Sequence, residues 1–420
     1  MSTSLADRVG ILRPLRIRDF RLLWTAMSVS FLGDGIYLVA IAWQVYRLSN
    51  VPSALAAVGL AWTFPQTLIL LYSGVLSDRM DRRRLMILGD AIRGVAIGAI
   101  GGLSITHTVQ MWHIIALVVV YGIGQAIFGP AFSAIVPELV PEESLVEANS
   151  LDQFVRPFCY QLMGPALGGV LVGRFGVGSA FLFDAGTFAF SMAFVFRMAV
   201  PARDAASPDK QTTSALGEMR EGLRFVLSRK WLRGGMFAAL VGLLLTWGPF
   251  EVLVPYIVKN LLHGSPIDLG FVFFAGGVAA VASAIAWGQR GMPRHPFRWL
   301  YVSWAIASFA IAGFGVVHAI WQAAAFSMIS SAGITTLLVM WYSVVQRYVP
   351  ADILGRVFSI DWLISASLVP LSFALTGPVA ALIGPRGTMI AAGLSGGIVI
   401  LATMFFLPGV LDPDREGFTG

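Results

Sequence analysis

Runs of roughly 20 apolar residues recur from Phe20 almost to Pro408 with only short polar interruptions, and that is the length one helix needs to cross a bilayer. The bilayer is therefore the solvent for most of this chain. Of its 420 residues 57% are hydrophobic and 12% charged, too little polar surface to hold a soluble fold of this size in water. A membrane β-barrel would show short segments alternating apolar and polar, whereas these runs are continuously apolar and rich in Gly, Ala and Leu. The fold class expected is an all-α polytopic membrane protein without a sizeable soluble domain.

The spans fall at roughly 20–46, 54–77, 84–105, 111–136, 151–173, 177–199, 232–258, 267–288, 297–317, 320–346, 356–382 and 386–407. Twelve transmembrane helices put both termini on one face. Of the 29 Lys and Arg, only Arg47, Arg174, Lys259 and Arg386 lie on the odd-numbered connections, and Arg93 and Arg156 lie within helices. The rest crowd the opposite face, which the positive-inside rule makes cytoplasmic. The apolar run after the first arginines reaches about Tyr46 without a small-residue cleavage site, so it is read as a retained first helix rather than a signal peptide.

The longest polar stretch, Pro201 to Lys230, divides the chain into a bundle over 1–200, a cytoplasmic linker over 201–230 and a second bundle over 231–420. It begins as a linker with Pro201, Ser207 and Pro208. From Ala215, Leu216, Met219, Leu223, Val226 and Leu227 recur at helical spacing beside Arg220, Arg224, Arg229 and Lys230, which predicts an amphipathic helix on the inner membrane surface. The halves are related by an internal duplication. At a constant offset of 209 residues Trp112 meets Trp321, Pro141 meets Pro350, Glu143 meets Asp352, Leu145 meets Leu354, Ser150 meets Ser359 and Asp152 meets Asp361. Two pseudo-symmetric six-helix bundles, with a central site between rocking halves, are the architecture such a parallel repeat predicts.

The net charge of +6 does not point to nucleic acid, because the basic residues sit between apolar runs rather than on one soluble face. The single cysteine, Cys159, allows neither a disulfide within the chain nor a thiolate zinc site. The five histidines fall near helix ends, and there is no metal constellation, nucleophile–base pair or phosphate loop. No cofactor and no catalytic residue is expected, and a membrane enzyme is the weakest reading.

The loop after span 2 reads Gly74-Val75-Leu76-Ser77-Asp78-Arg79-Met80-Asp81-Arg82-Arg83-Arg84. Taken alone it is a positive-inside cluster. In spacing and position it resembles the signature loop of the major facilitator superfamily, departing at Asp81, where the family usually has glycine. The resemblance implies that this loop holds the cytoplasmic gate. Asp78, followed by Arg79, would sit by the start of helix 11 and Arg356, while Arg82, beside Arg83, would reach an acidic residue such as Glu138. The equivalent second-half loop, Gly288 to Arg294, keeps only Arg290 and Arg294. These are expected to face Asp152, whose repeat counterpart Asp361 belongs to the same gate. In span 5, Gly164-Pro165-Ala166-Leu167-Gly168-Gly169 is similar to the helix 5 motif of proton-coupled antiporters of that superfamily, without its upstream glycines; small-residue packing alone is the simpler reading.

An ionisable residue within a span costs about 2.5–3.5 kcal/mol on insertion scales. Asp34 in span 1, Asp184 in span 6 and Glu251 in span 7 are such residues. A carboxyl in low dielectric favours its neutral form, so a group of this kind can load a proton outside and lose it inside. Asp34 is the first candidate for proton coupling and Glu251 the second; Asp184 serves equally well as a hydrogen-bond acceptor between helices. Asp90 and Arg93 share a helix face and are expected to pair with each other. Arg156 has the same explanation with Asp152, although an arginine facing a cavity would attract an anion. Tyr37, Trp247, Trp341 and Tyr342, with Gln125, would line a wide apolar substrate cavity.

Within the superfamily, Gly33-Asp34, Phe128-Gly129-Pro130-Ala131, Val136-Pro137-Glu138-Leu139-Val140, Ala148-Asn149-Ser150-Leu151 and Leu354-Gly355-Arg356-Val357 look like the branch of bacterial siderophore exporters and macrolide or multidrug efflux carriers. The resemblance implies the major facilitator fold, a bacterial inner membrane, a monomer, and proton-coupled export of a small amphiphilic molecule by alternating access. An importer or lipid flippase of the same fold, or a sensor that binds without transporting, are the alternatives.

Overall fold

The computed structural model describes residues 10–79, 81–141, 144, 147–148, 151, 155–199, 215–350 and 353–411, and every regular element among them is helical. The first helices are α1 (Arg18–Leu48), α2 (Pro52–Arg79), α3 (Arg82–Ile105) and α4 (Met111–Leu139). A π-helical stretch, Arg156–Met163, leads into α5 (Gly164–Phe175), followed by α6 (Val177–Phe196) and a separate linker helix, Ala215–Ser228. The remainder are α7 (Lys230–Tyr256), α8 (Pro266–Arg290), α9 (Pro296–Gly313), α10 (Ile320–Tyr348), α11 (Leu354–Ser367) and α12 (Val369–Phe406). Among the described residues eight stretches are long and apolar enough to cross a membrane. Large apolar side chains stand exposed on their outer faces, Val95 at 72% and Leu382 and Phe406 at 83%, which suits lipid and not water.

The helix ends follow local chemistry. Asp81 caps α3 by accepting from the backbone N–H of Arg83 at 2.9 Å and of Arg84 at 3.3 Å. Its φ is −59°, so this turn does not need the glycine found in the signature loop. Between α5 and α6 the chain turns at Gly176 with φ of 85°, and α12 breaks at Gly384 with φ of 76°, just before Pro385. Both are left-handed conformations that glycine adopts at little cost.

The chain forms two compact units. The first comprises Met1–Asn50, Ala57–Ala206 and Gly264–Phe274; the second comprises Val51–Ala56, Ser207–His263 and Ala275–Gly420. In the first unit α3 lies against α4 and α6, and α1 against α5 and α6, over a core that includes Leu23, Phe31, Met86, Phe128 and Ile135. Lipid offers helices no hydrophobic drive to associate, so small residues that let backbones touch matter most. A Cβ on Gly164 would lie 2.6 Å from Gly35 Cα and 2.8 Å from the Cys159 carbonyl oxygen, so α5 meets α1 backbone to backbone. These are main-chain atoms that cannot swing aside. Gly164→Val is expected to lower stability by about 1–3 kcal/mol through overpacking, read as a fall in apparent Tm in detergent. Gly186→Ala, at a position with open space around it, should leave Tm unchanged.

In the second unit α7 and α9 lie against α12, α9 against α10, and the linker helix against α11. Its core includes Trp231, Phe297, Tyr301, Trp304 and Val357. The amphipathic helix expected on the membrane surface is present over Ala215–Ser228, but one of its faces is docked on protein, with Val226 buried in this core.

Candidate functional site

Four helices of the first unit bring charged and polar side chains into one buried set. Asp34 comes from α1, Asp90 and Arg93 from α3, Tyr121 and Gln125 from α4, and Asp184, Thr187 and Ser191 from α6. Glycines make the convergence possible. Gly33, next to Asp34, has Asp184 and Thr187 against its backbone, where any Cβ would collide with their side-chain oxygens.

Arg93 is the centre of the set and is 1% exposed. Its Nη2 donates to Asp90 Oδ1, its Nη1 donates to Gln125 Oε1 at 2.7 Å, and the same Nη1 stands 3.9 Å from Asp34 Oδ2. The guanidinium lies between the rings of Phe128 and Phe188, 4.3 and 4.5 Å from their centroids, an arrangement that favours a cation. Ser191 Oγ donates to the other oxygen of Asp90 at 2.6 Å, and Tyr121 Oη donates to Asp34 Oδ1 at 2.8 Å. Tyr121 is itself stacked on Tyr37 at 5.2 Å. Asp184 accepts from Thr187 Oγ1 at 3.3 Å through Oδ1, while its buried Oδ2 has no hydrogen-bond partner. Two carboxylates, Asp90 and Asp34, thus stand at one guanidinium, the one buried cation among the described residues, and a third, Asp184, is buried beside Gly33 next to Asp34.

Of the expected residues, the structure gathers Asp34, Asp184, Tyr37 and Gln125 in this first-unit set. Glu251 is half-buried on α7 in the second unit. Trp341, expected in the cavity, and Asp361, expected in the gate, instead form one buried pair in which Trp341 Nε1 donates to Asp361 Oδ2 at 2.9 Å. Tyr342 packs on Phe358 at 5.6 Å, and Trp247 is 39% exposed. Arg156 is exposed in the π-helical stretch with its guanidinium 4.6 Å from the Phe31 ring centroid.

The basic loop residues tie helix ends together inside the first unit. Arg82 Nη1 reaches Glu138 Oε1 at 2.7 Å, the partner expected from the sequence, and so joins the start of α3 to the end of α4. Arg83 donates to the carbonyls of Val195 and Phe196, the last of α6, where a cation is favoured by the helix dipole. Arg356 pairs with Glu221 of the linker helix at 2.6 Å, and Arg290 is exposed at the end of α8. Beyond their helical backbone, Gly74, Asp78 and Arg79 lie outside the described residues, as does all of Asp152. The helix 5 motif packs within the first unit, Gly164 on Gly35, Gly168 on Ile36, and Gly169 and Pro165 against Gly270.

Residues 9–414 match the transmembrane secretion effector family of the major facilitator superfamily. The chain belongs to that family. This secretion effector is a membrane carrier rather than an enzyme. It is 25% identical to the multidrug efflux pump Tap of Mycolicibacterium fortuitum over 91% of this chain and 94% of that one. It is 26% identical to the enterobactin exporter EntS of Citrobacter koseri over 92% of this chain and 91% of that one. The fold is shared with a POT family transporter solved with a thioalcohol-conjugated peptide, at a TM-score of 0.70 and 14% identity, over 94% of this chain and 96% of that one.

The Asp90–Arg93 pair expected from the sequence is present, but the sequence alone does not show that Asp34, Gln125, Tyr121, Ser191 and Thr187 gather around it. The available signal was Arg93 itself, since an arginine deep within a span needs counter-charges from neighbouring helices as well as its own.

Proposed function

We propose that this secretion effector is a secondary active exporter of a small amphiphilic molecule of drug or siderophore type, driven by proton exchange as two six-helix bundles alternate access across a bacterial inner membrane. The observation that carries the proposal is the set Asp34–Arg93–Asp90 with Asp184. If every carboxyl were ionised, three negative charges would face one positive charge out of water, and an uncompensated buried charge is strongly unfavourable. Carrying and releasing protons is how such a set balances its charge, and that is the property a proton-coupled carrier needs. Asp34, held by Tyr121 and in reach of Arg93, is the coupling group, and Asp184 its neighbour across Gly33. Glu251 in α7 is the second-half candidate.

The eight membrane-length stretches, the break at Gly384 that divides the last of them, the shorter α5 and α9, and α2 support twelve spans, and the placement of the basic residues in the sequence supports both termini inside. The names of the two relatives support export, and the Arg82–Glu138 and Arg83 contacts support a rigid cytoplasmic rim against which a gate could close.

Flux in proteoliposomes under an imposed pH gradient tests the reading, with a fluorescent lipophilic cation and a catecholate siderophore as probes. Cargo is expected to move against its own gradient when protons run the other way. Flux that ignores the pH gradient for both probes would remove proton coupling, and binding without flux would favour the sensor.

A further inference from the structure

The linker helix Ala215–Ser228 has two working faces. Gly222 and Val226, four residues apart and so on one side, meet protein. A Cβ on Gly222 would lie 2.8 Å from Ile360 Cδ1 and 3.1 Å from Arg356 Cβ of α11, and Val226 is 2% exposed in the core of the second unit. The Glu221–Arg356 ion pair at 2.6 Å fastens the same side. The next face around the helix carries Leu223 and Leu227, 41% and 54% exposed. Apolar side chains at i and i+4 left open in this way need a partner of their own.

We propose that this second face is a binding surface for anionic phospholipid headgroups. Only Arg229 separates the end of the linker helix at Ser228 from the start of α7 at Lys230, so the helix runs into a membrane span and lies at the height of the interface. Arg224, Arg229, Lys230 and Arg233 are all exposed there, while the nearby Glu221 is already neutralised by Arg356. Leucines entering the acyl boundary beside cations at headgroup level are the chemistry that anionic lipid selects. Because the adjacent face grips α11, lipid charge would act on the helix that carries Asp361.

The test uses the full chain with Cys159, its one cysteine, replaced by alanine and a spin label at Leu227→Cys. It is reconstituted in phosphatidylcholine with and without phosphatidylglycerol. With phosphatidylglycerol the label is expected to gain collisions with oxygen and lose them with a water-soluble nickel complex. Arg224→Gln, Arg229→Gln and Lys230→Gln should each weaken that engagement roughly fivefold, as expected for one cation near an anionic surface. These side chains are exposed, so the variants should still fold, and a retained Tm in detergent verifies it. A label equally water-accessible in both lipids, or a phosphatidylglycerol response that survives all three substitutions together, would overturn the proposal. The readout does not use transport, so it stands or falls separately from proton coupling.

Discussion

Asp34→Asn is expected to stop this carrier from concentrating its cargo while leaving downhill exchange intact. The amide oxygen still accepts the Tyr121 hydroxyl at the present 2.8 Å contact, so the packing of α1 on α4 should persist. What asparagine cannot do is take up and release a proton. A pH difference of one unit supplies about 1.4 kcal/mol per proton, enough for about a tenfold cargo ratio if one proton is exchanged per cargo. In the variant that ratio should collapse to about one, with counterflow of labelled cargo close to wild type. Measured side by side in proteoliposomes, the two readouts separate loss of coupling from loss of binding. A variant that still moves cargo uphill would transfer the role to Asp184 or Glu251.

Arg93→Met should have the largest effect on stability. Methionine fills much of the space between Phe128 and Phe188, but it leaves Asp90, 0% exposed, with Ser191 as its remaining hydrogen-bond donor, and it withdraws the donor to Gln125. Breaking a buried pair by removing one partner costs about 3–5 kcal/mol, whereas replacing the whole pair by apolar groups is often nearly neutral. The single variant is therefore expected to unfold far more readily in detergent, and Arg93→Met with Asp90→Leu should recover most of the loss. Cys159 is partly buried in the π-helical stretch, so the rate at which a thiol-reactive dye reaches it on heating reports the unfolding. A loss below about 1 kcal/mol in the single variant would mean that Arg93 does not hold Asp90 as an ion.

The parts of the site visible in the sequence were those that a single span displays. Asp34, Asp184 and Glu251 stand out because a carboxyl surrounded by apolar residues is conspicuous and costly. The Arg82–Glu138 pair could be expected because both residues sit at helix ends whose positions the spans determine. Tyr121, Thr187 and Ser191 are ordinary residues in apolar helices, and their role follows only from rotation and depth relative to three other helices. Trp341 and Asp361 illustrate the same limit: twenty residues apart on α10 and α11, they become one hydrogen-bonded pair only through the packing of those helices.

By itself the sequence determined the solvent, the helical class, the distribution of basic loops and the family signature, because the length and polarity of a membrane span are dictated locally by the thickness of lipid. Only the tertiary structure decided which charges meet. A helix offers a new face every few residues, and a shift of one position turns a side chain by about 100°; burial of Arg93 among Asp34, Asp90 and the rings of Phe128 and Phe188 depends on the mutual rotation of four helices, which no single span encodes.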